Sequence, residues 1–189
     1  MKLPVLTENV QDLEGFYDEE GNAVSLNEKI SLILFLGDDP IEHQVSAYNL
    51  VHKIYKKNHS FFDFQLITVL PKGTEEKVKP LMQEISMAVE DTSDWIFAYG
   101  SMEDIKVFHD SFFSPYNLDE NGYSQYVFIL DKDRNLRGRD NDKDVDIMYG
   151  YDSENYAEIN NKLGDDLKVL LAEYRMALKK NNRNDYLVQ

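Results

Sequence analysis

The sequence places a carboxylate and an imidazole close together just after its first long apolar run. Asp39 and His43 are four residues apart, so in a helix that begins here they lie on one side of the first turn. Such a pair can hold Zn(II), Cu(II) or Ni(II) weakly, with Asp38 or Glu42 as a further ligand. The alternative is structural: Asp39 caps the helix through its side chain, and His43 is an exposed residue of the first turn.

A second group of candidate ligands lies late in the chain. Asp131, Asp133 and Asn135 have the spacing of the first ligands of a calcium loop, but Leu136 stands where such a loop requires glycine. Four aspartates then alternate, so in an extended strand they project on one side and repel one another unless a cation intervenes. These are Asp140, Asp142, Asp144 and Asp146. A weak calcium or magnesium site and a solvated acidic loop both remain open.

The same late segment holds the one local cluster of basic residues in an acidic chain, namely Lys132, Arg134, Arg137 and Arg139. Such a cluster can bind an anionic patch on a partner. The alternative is that these side chains pair with the aspartates beside them.

Composition excludes several kinds of chemistry. The chain has 189 residues and no cysteine, which removes disulfides, thiolate nucleophiles and zinc–thiolate sites together. It also argues strongly against a thiol peroxidase. The formal net charge of −15 disfavours nucleic acid and favours cations or basic protein surfaces as partners. No apolar run is long enough for a membrane helix, so we expect no transmembrane segment within this chain. Asn58, His59 and Ser60 match the glycosylation sequon, a short pattern that often arises by chance.

The elements that must position these residues follow from hydrophobic patterning. A Gly-Asn turn predicts a hairpin over 16–24. Apolar runs predict buried strands at 30–36 and 61–70, with shorter strands at 95–98 and 126–130. Helices are predicted over 39–57, over 74–89 with Pro80 as a kink or a new start, and from Ser101 onward. A last helix carries one apolar face, formed by Ile159, Leu163, Leu167, Leu170, Tyr174 and Leu178.

This order predicts one domain over residues 1–180, followed by a polar tail at 181–189. Two crossover units followed by a strand hairpin and a final helix indicate an α/β, thioredoxin-like fold. We expect a central mixed sheet flanked by helices, with an N-terminal β-hairpin extension and one inserted helix.

Three segments in this order resemble the Sco/SenC family of thioredoxin-like, copper-handling proteins that assist cytochrome oxidase assembly. They are the opening Leu3-Pro4-Val5 with DEEGNAVSL, then DWIFAYGSMEDIKVF, and then YVFILDKDRNLRGRD. The resemblance spans residues 3–174 and implies a location outside the cytoplasm, in the periplasm or on a membrane anchor that is not present in this chain.

The family pattern departs from this chain at the copper ligands. The family's C-x-x-x-C motif falls on Asp39 and His43, and its ligand histidine, eight positions before Asp131, falls on Tyr123. Cu(I) prefers thiolate or thioether ligands, so the family chemistry is lost at its own positions. We therefore expect no enzyme activity and no cofactor; a weakly bound divalent metal is the open alternative.

Two functions follow from this departure. The first is a non-catalytic binding or assembly module that docks an unidentified protein in a groove near Asp39, His43 and Tyr123. The second is a metal-handling protein that binds Cu(II) or Zn(II) through Asp39 and His43.

Overall fold

A seven-stranded mixed sheet forms the centre of the computed structural model, which describes residues 2–185. The strands in chain order are β1 (Val5–Thr7), β2 (Ile30–Leu36), β3 (Phe64–Pro71), β4 (Trp95–Gly100), β5 (Tyr123–Leu130), β6 (Leu136–Arg137), β7 (Arg139–Asp142), β8 (Asp146–Met148) and β9 (Tyr151–Asp152). The sheet has the order β1-β6-β5-β2-β3-β4, and β9 pairs with β5. Strands β7 and β8 form a separate two-stranded ladder.

The central position predicted for the first apolar run is confirmed. Strand β2 pairs in parallel with β3 and antiparallel with β5, and every residue of β2 and β3 is buried. A strand that is covered on both faces has no polar side to alternate with, which explains its continuous apolar sequence. Strand β3 begins at Phe64 rather than at 61, because residues 61–63 form a turn in which Phe62 is exposed.

Helices cover both faces of the sheet. They are α1 (Gln44–Leu50), a π-helical segment (Val51–Tyr55), α2 (Lys56–Asn58), α3 (Glu75–Ala88), α4 (Met102–Asp110), α5 (Tyr156–Glu158), a second π-helical segment (Ile159–Leu163) and α6 (Gly164–Asp185). Alternate residues of β2 enter two separate cores: Leu34 packs with the first helical segment, α3 and α6, whereas Phe35 packs with α4. The mixed sheet flanked by helices is therefore confirmed.

The α4 and α6 predictions agree closely with the structure. Ser101 is the N-cap of α4, and its hydroxyl accepts a hydrogen bond from the Asp104 N–H at 3.0 Å. Helix α3 runs through Pro80 without a new start. In the last helix Leu163, Leu167 and Leu170 are buried as expected, whereas Leu178, predicted on the same face, is 52% exposed. Helix α6 continues to Asp185, so the predicted polar tail begins within it, and residues 186–189 lie outside the described part of the chain.

The predicted N-terminal hairpin is reduced to a single antiparallel bridge between Tyr17 and Ala23. The turn itself forms as expected, because the Asp18 carboxylate accepts the backbone N–H groups of Glu20 and Asn22. Tyr17 also bridges Tyr99 at the outer strand β4, so the extension is attached to the sheet.

Candidate functional site

The predicted site lies where the chain leaves β2 and meets the start of β5. Gly37 adopts a φ of +71°, a conformation that glycine tolerates and other residues rarely adopt. A Cβ at this position would lie 3.0 Å from the Tyr123 Cβ and 3.3 Å from the Asn121 carbonyl oxygen. The missing side chain therefore allows the segment 38–43 to turn directly against Tyr123. We call this end of the sheet, formed by Leu36, Gly100 and Tyr123, the candidate-site end.

The predicted helix start at Asp39 is wrong. Residues 40–43 form successive turns, with the Glu42 N–H donating to the Asp39 carbonyl at 3.2 Å, and α1 begins only at Gln44. His43 is the N-cap residue and makes no side-chain capping hydrogen bond, while Asp39 is exposed. The Asp39 cap is therefore wrong as well, because the backbone hydrogen bonds of these turns replace the first turn of a helix.

The later start also changes which side of the first helix is buried. The apolar residues of the predicted helix over 39–57 suggest one buried face, formed by Ile41, Val45, Tyr48, Val51 and Tyr55. Val51 and Tyr55 are buried as this pattern predicts, but Val45 is 51% exposed. Val45 lies six residues before Val51, roughly 120° away around an α-helix, so the two side chains project on different faces.

His43 and Tyr123 are brought together as a stacked pair. Their ring centroids are 3.4 Å apart and their planes differ by 6°. The Tyr123 hydroxyl donates a hydrogen bond to Glu154 Oε1 at 2.6 Å. Burial and then the adjacent Glu154 carboxylate raise the pKa of Tyr123, so the phenol stays protonated at neutral pH. Two of the three predicted positions thus form one stacked aromatic surface.

Sequence reasoning missed the residues that hold this pair in place. Glu154 lies 31 positions from Tyr123 and belongs to no motif. Below it, the hydroxyls of Ser46 and Ser153 are 2.8 Å apart, and Ser153 Oγ lies 2.6 Å from the Gln125 carbonyl oxygen. These contacts join the start of α1, β5 and the segment after β9. No local sequence signal marks them, since each depends on the tertiary fold.

The three predicted ligand positions do not fit Cu(I). The chain has no cysteine, Asp39 is an exposed carboxylate, and the Tyr123 hydroxyl is committed to Glu154. Within residues 2–185, no group of three or more His, Asp or Glu side chains is arranged to hold a metal ion. The site can stack, accept hydrogen bonds and attract cations, but it offers neither a thiolate nor a redox group.

The surface around the stacked pair is acidic and partly apolar. Asp38, Asp39, Glu42 and Glu154 are all exposed. Val45 lies one turn further along the chain, and Met102, which is 40% exposed, contacts the neighbouring Gly122 position. Lys77 approaches this surface with its ammonium group, which donates to the Asp38 carbonyl at 3.1 Å. This arrangement can attract positive charge and contact apolar groups at the same place.

Three of the four late basic residues, Lys132, Arg137 and Arg139, pair with acids, as the second alternative predicted, although the partner of Lys132 is distant in sequence. Arg137 is buried and binds Asp131 at 2.9 Å and Glu173 at 2.7 Å. Lys132 binds Asp63 at 2.7 Å. Asp131 also accepts the N–H groups of Asp133 and Asn135, so it closes the hairpin turn. Arg137 is thereby removed from any anionic partner.

Lysine and arginine side chains of this chain supply positive charge among the alternating aspartates. Lys162 binds Asp142 at 2.8 Å and Asp144 at 2.6 Å, and Arg139 binds Asp142 at 3.1 Å. Burial alone would raise the pKa of Asp142, but the hydrogen bonds from Lys162 and Arg139 outweigh it and lower the value to about 2. The carboxylate therefore stays ionised without a metal.

The glycosylation sequon has a structural role, and so does a buried histidine of α4. Asn58 of the sequon is buried and donates its side-chain amide to the Ile54 carbonyl at 2.8 Å, so it is not presented for glycosylation. His109 is 4% exposed and packs edge-on against Phe35 and Phe128. Its Nε2 has no hydrogen-bond partner within the described chain.

Comparison with known proteins identifies the fold. No protein-family model matches the chain, and no curated protein matches it significantly in sequence. Among solved structures it is similar to BsSco, a member of the Sco family of cytochrome c oxidase assembly proteins, with a TM-score of 0.61 and 16% identity over 90% of this chain and 98% of that one. It is also similar to a SCO1/SenC family lipoprotein from Bacillus anthracis, with a TM-score of 0.60 and 18% identity over 90% of this chain and 99% of that one.

A putative protein disulfide isomerase from Bacteroides thetaiotaomicron is also similar, with a TM-score of 0.59 and 17% identity over 94% of this chain and 98% of that one. None of the helices in residues 2–185 is both long and apolar enough to cross a membrane. The thioredoxin-like prediction is confirmed: the chain has the fold of Sco/SenC structures, without the cysteines.

Proposed function

We propose that this chain is a cysteine-less relative of the Sco/SenC proteins that acts as a non-catalytic binding module in extracytoplasmic assembly. The observation that carries the proposal is the stacked His43–Tyr123 pair, which is fixed by Glu154 at the positions of the family's ligands. A rigid aromatic surface is suited to contact another protein, because little side-chain entropy is lost when it binds.

The surrounding side chains define the partner. Exposed carboxylates from the segment 38–42 and from Glu154 lie beside the exposed Val45 side chain. A protein surface with lysine or arginine around an apolar anchor complements this arrangement, and like-charged surfaces are repelled. The predicted groove near Asp39, His43 and Tyr123 is therefore proposed as the docking surface.

The structural neighbours support the setting. BsSco belongs to a family of oxidase assembly proteins, and the B. anthracis protein is a lipoprotein, which supports an extracytoplasmic location. Arabidopsis thaliana ScoI, whose structure contains copper, has a TM-score of 0.50 and 15% identity to this chain over 81% of it and 94% of ScoI. Copper handling does not transfer to this chain, since its donor set does not fit Cu(I).

To identify a partner, we would replace Val45 with a photo-crosslinking amino acid, which captures a protein that contacts this end of the molecule. The control carries the same amino acid at the exposed position of Phe62. The captured protein is then purified and its binding to this chain measured by calorimetry. We expect His43→Ala and Val45→Asp to weaken binding at least about tenfold, as for central contacts of an interface. Met87→Asp, an equivalent change at an exposed position of α3, should leave it unchanged.

Two outcomes would overturn the proposal. One is a partner whose affinity is indifferent to both His43→Ala and Val45→Asp. The other comes from titrating the metal-free protein with Cu(II) and with Zn(II): micromolar or tighter binding that disappears in His43→Ala would establish the metal-handling alternative through Asp39 and His43.

A further inference from the structure

The outer edge of the sheet at β4 is only partly covered. β4 pairs with β3 on one side, and on the other side Tyr17 pairs with Tyr99 alone. The Tyr17 N–H donates to the Tyr99 carbonyl at 3.1 Å, and the Tyr99 N–H donates to the Tyr17 carbonyl at 2.9 Å. Tyr17 thus covers one position near the end of β4 and leaves the earlier part of the strand open.

The backbone direction along β4 follows from the hydrogen bonds at its two ends. The Asp94 carbonyl accepts from the Leu66 N–H at 2.8 Å, and the Gly100 carbonyl accepts from the Lys72 N–H at 2.9 Å. The backbone N–H and carbonyl groups of even-numbered residues therefore point toward β3. Those of odd-numbered residues such as Tyr99 point away from β3, because the direction of these groups alternates along a strand. The N–H and carbonyl of Phe97 consequently lie at the open edge.

A cleft of about 560 Å³ runs beside this edge. Trp95 and Phe97 line it from the strand, Met82 lines it from α3, and the turn at 18–20 closes one side. Asp18, Glu19 and Glu20 are the charged residues of that lining, and no lysine or arginine of the described chain contributes to it. The cleft therefore combines an unpaired strand edge, apolar side chains and a negative rim.

We propose that the open edge of β4 binds an extended, lysine- or arginine-rich protein segment as an added strand. The free Phe97 backbone groups supply main-chain hydrogen bonds, the cleft accepts alternate side chains, and the acidic turn selects positive charge. A second copy of this chain is disfavoured, since it carries the same rim and a net charge of −15. This site is separate from the surface around His43 and does not depend on the proposed function.

The position of the chain's one tryptophan provides the measurement. Trp95 lines the cleft, so its fluorescence reports on a ligand there. The probe is a ten-residue peptide of alternating lysine and valine, titrated into the full chain at low salt. We expect saturable binding, a change in Trp95 emission and slower hydrogen exchange of the Phe97 amide. The same peptide N-methylated along its backbone should bind at least about tenfold more weakly, because it has lost its donors.

Matched variants separate specific binding from general attraction. Glu19→Lys/Glu20→Lys reverses the rim, whereas Glu8→Lys/Glu14→Lys makes the same change in net charge at exposed positions outside the cleft lining. We expect the first variant to weaken binding at least about tenfold and the second less than about threefold. Equal weakening in both variants, equal binding of the N-methylated peptide, or unchanged Phe97 exchange at saturation would each overturn the proposal.

Discussion

The two ends of the central sheet treat charge in opposite ways. At the end formed by the start of β2 and the close of β5, which we call the paired end, the buried guanidinium of Arg137 has two carboxylate partners, Asp131 and Glu173. At the candidate-site end, Asp38 and Asp39 are exposed, and the imidazole of His43 lies flat against Tyr123. The charges of the paired end are therefore satisfied within the fold, while the carboxylates of the candidate-site end are open to solvent.

This difference shows which of the many charged residues have partners that are set by the fold. A buried charge must be paired or it destabilises the fold, so every partner at the paired end is fixed by burial. Exposed carboxylates at the candidate-site end contribute little to folding. Stability does not require these carboxylates, and the proposed binding role would use their position beside the aromatic pair.

The largest expected effect comes from breaking the paired end. Arg137→Met leaves Asp131 and Glu173 without their shared counter-charge, and Asp131 is fully enclosed. Removing one member of a buried ion pair costs about 3–5 kcal/mol of unfolding free energy. Urea unfolding followed by circular dichroism measures this loss.

Lys106→Met is the control for Arg137→Met, because Lys106 binds Asp110 across an exposed turn of α4. An exposed pair of this kind contributes less than about 1 kcal/mol. Similar losses in the two variants would show that the Arg137 network is not stabilising through burial.

The second prediction concerns His109, the buried imidazole near the candidate-site end. Burial lowers the pKa of His109 to about 4, with Asp110 opposing and Lys106 reinforcing the shift. The unfolded chain, with an ordinary histidine pKa near 6.5, binds the proton first as pH falls. The contribution of neutral His109 to the unfolding free energy is therefore present above about pH 6.5. It decreases by about 3 kcal/mol as the pH falls to about 4.

Urea unfolding at pH 7 and pH 5 measures this dependence. His109→Leu should reduce the difference in unfolding free energy between the two pH values by about 2 kcal/mol. His52→Gln, at an exposed histidine, should leave the difference as it is in the parent chain. An unchanged pH difference in His109→Leu would contradict the assignment.

Sequence patterns predicted the fold better than they predicted the site, and the reason is physical. The run 30–36 is apolar because it is buried on both faces, and Ser101 caps α4 through a bond three residues away. Both signals are local. The stack of His43 on Tyr123 and the bond from Tyr123 to Glu154 depend on strands that are distant in sequence. Resemblance supplied Tyr123, whereas nothing in the sequence supplied Glu154.

The third prediction tests how strongly the candidate-site end is held. Tyr123→Phe keeps the stack with His43 but removes the hydrogen bond to Glu154. We expect a loss of about 1 kcal/mol in unfolding free energy, the usual contribution of one hydrogen bond. Tyr156→Phe removes a hydroxyl from a half-exposed ring and should cost less than about 0.5 kcal/mol. Equal effects would mean that Glu154 does not fix the pair.

The smallest effect is expected at Asp39, where the sequence pattern predicts a helix cap and the structure shows none. As a helix cap its replacement by alanine would cost about 1 kcal/mol, which is the loss we expect for Ser101→Ala at α4. Because α1 begins at Gln44 and Asp39 is exposed, Asp39→Ala should change the unfolding free energy by less than about 0.5 kcal/mol. Denaturant unfolding of the two variants measures the difference. A loss at Asp39 as large as that at Ser101 would restore the capping role and remove Asp39 from the residues that are free to contact a partner.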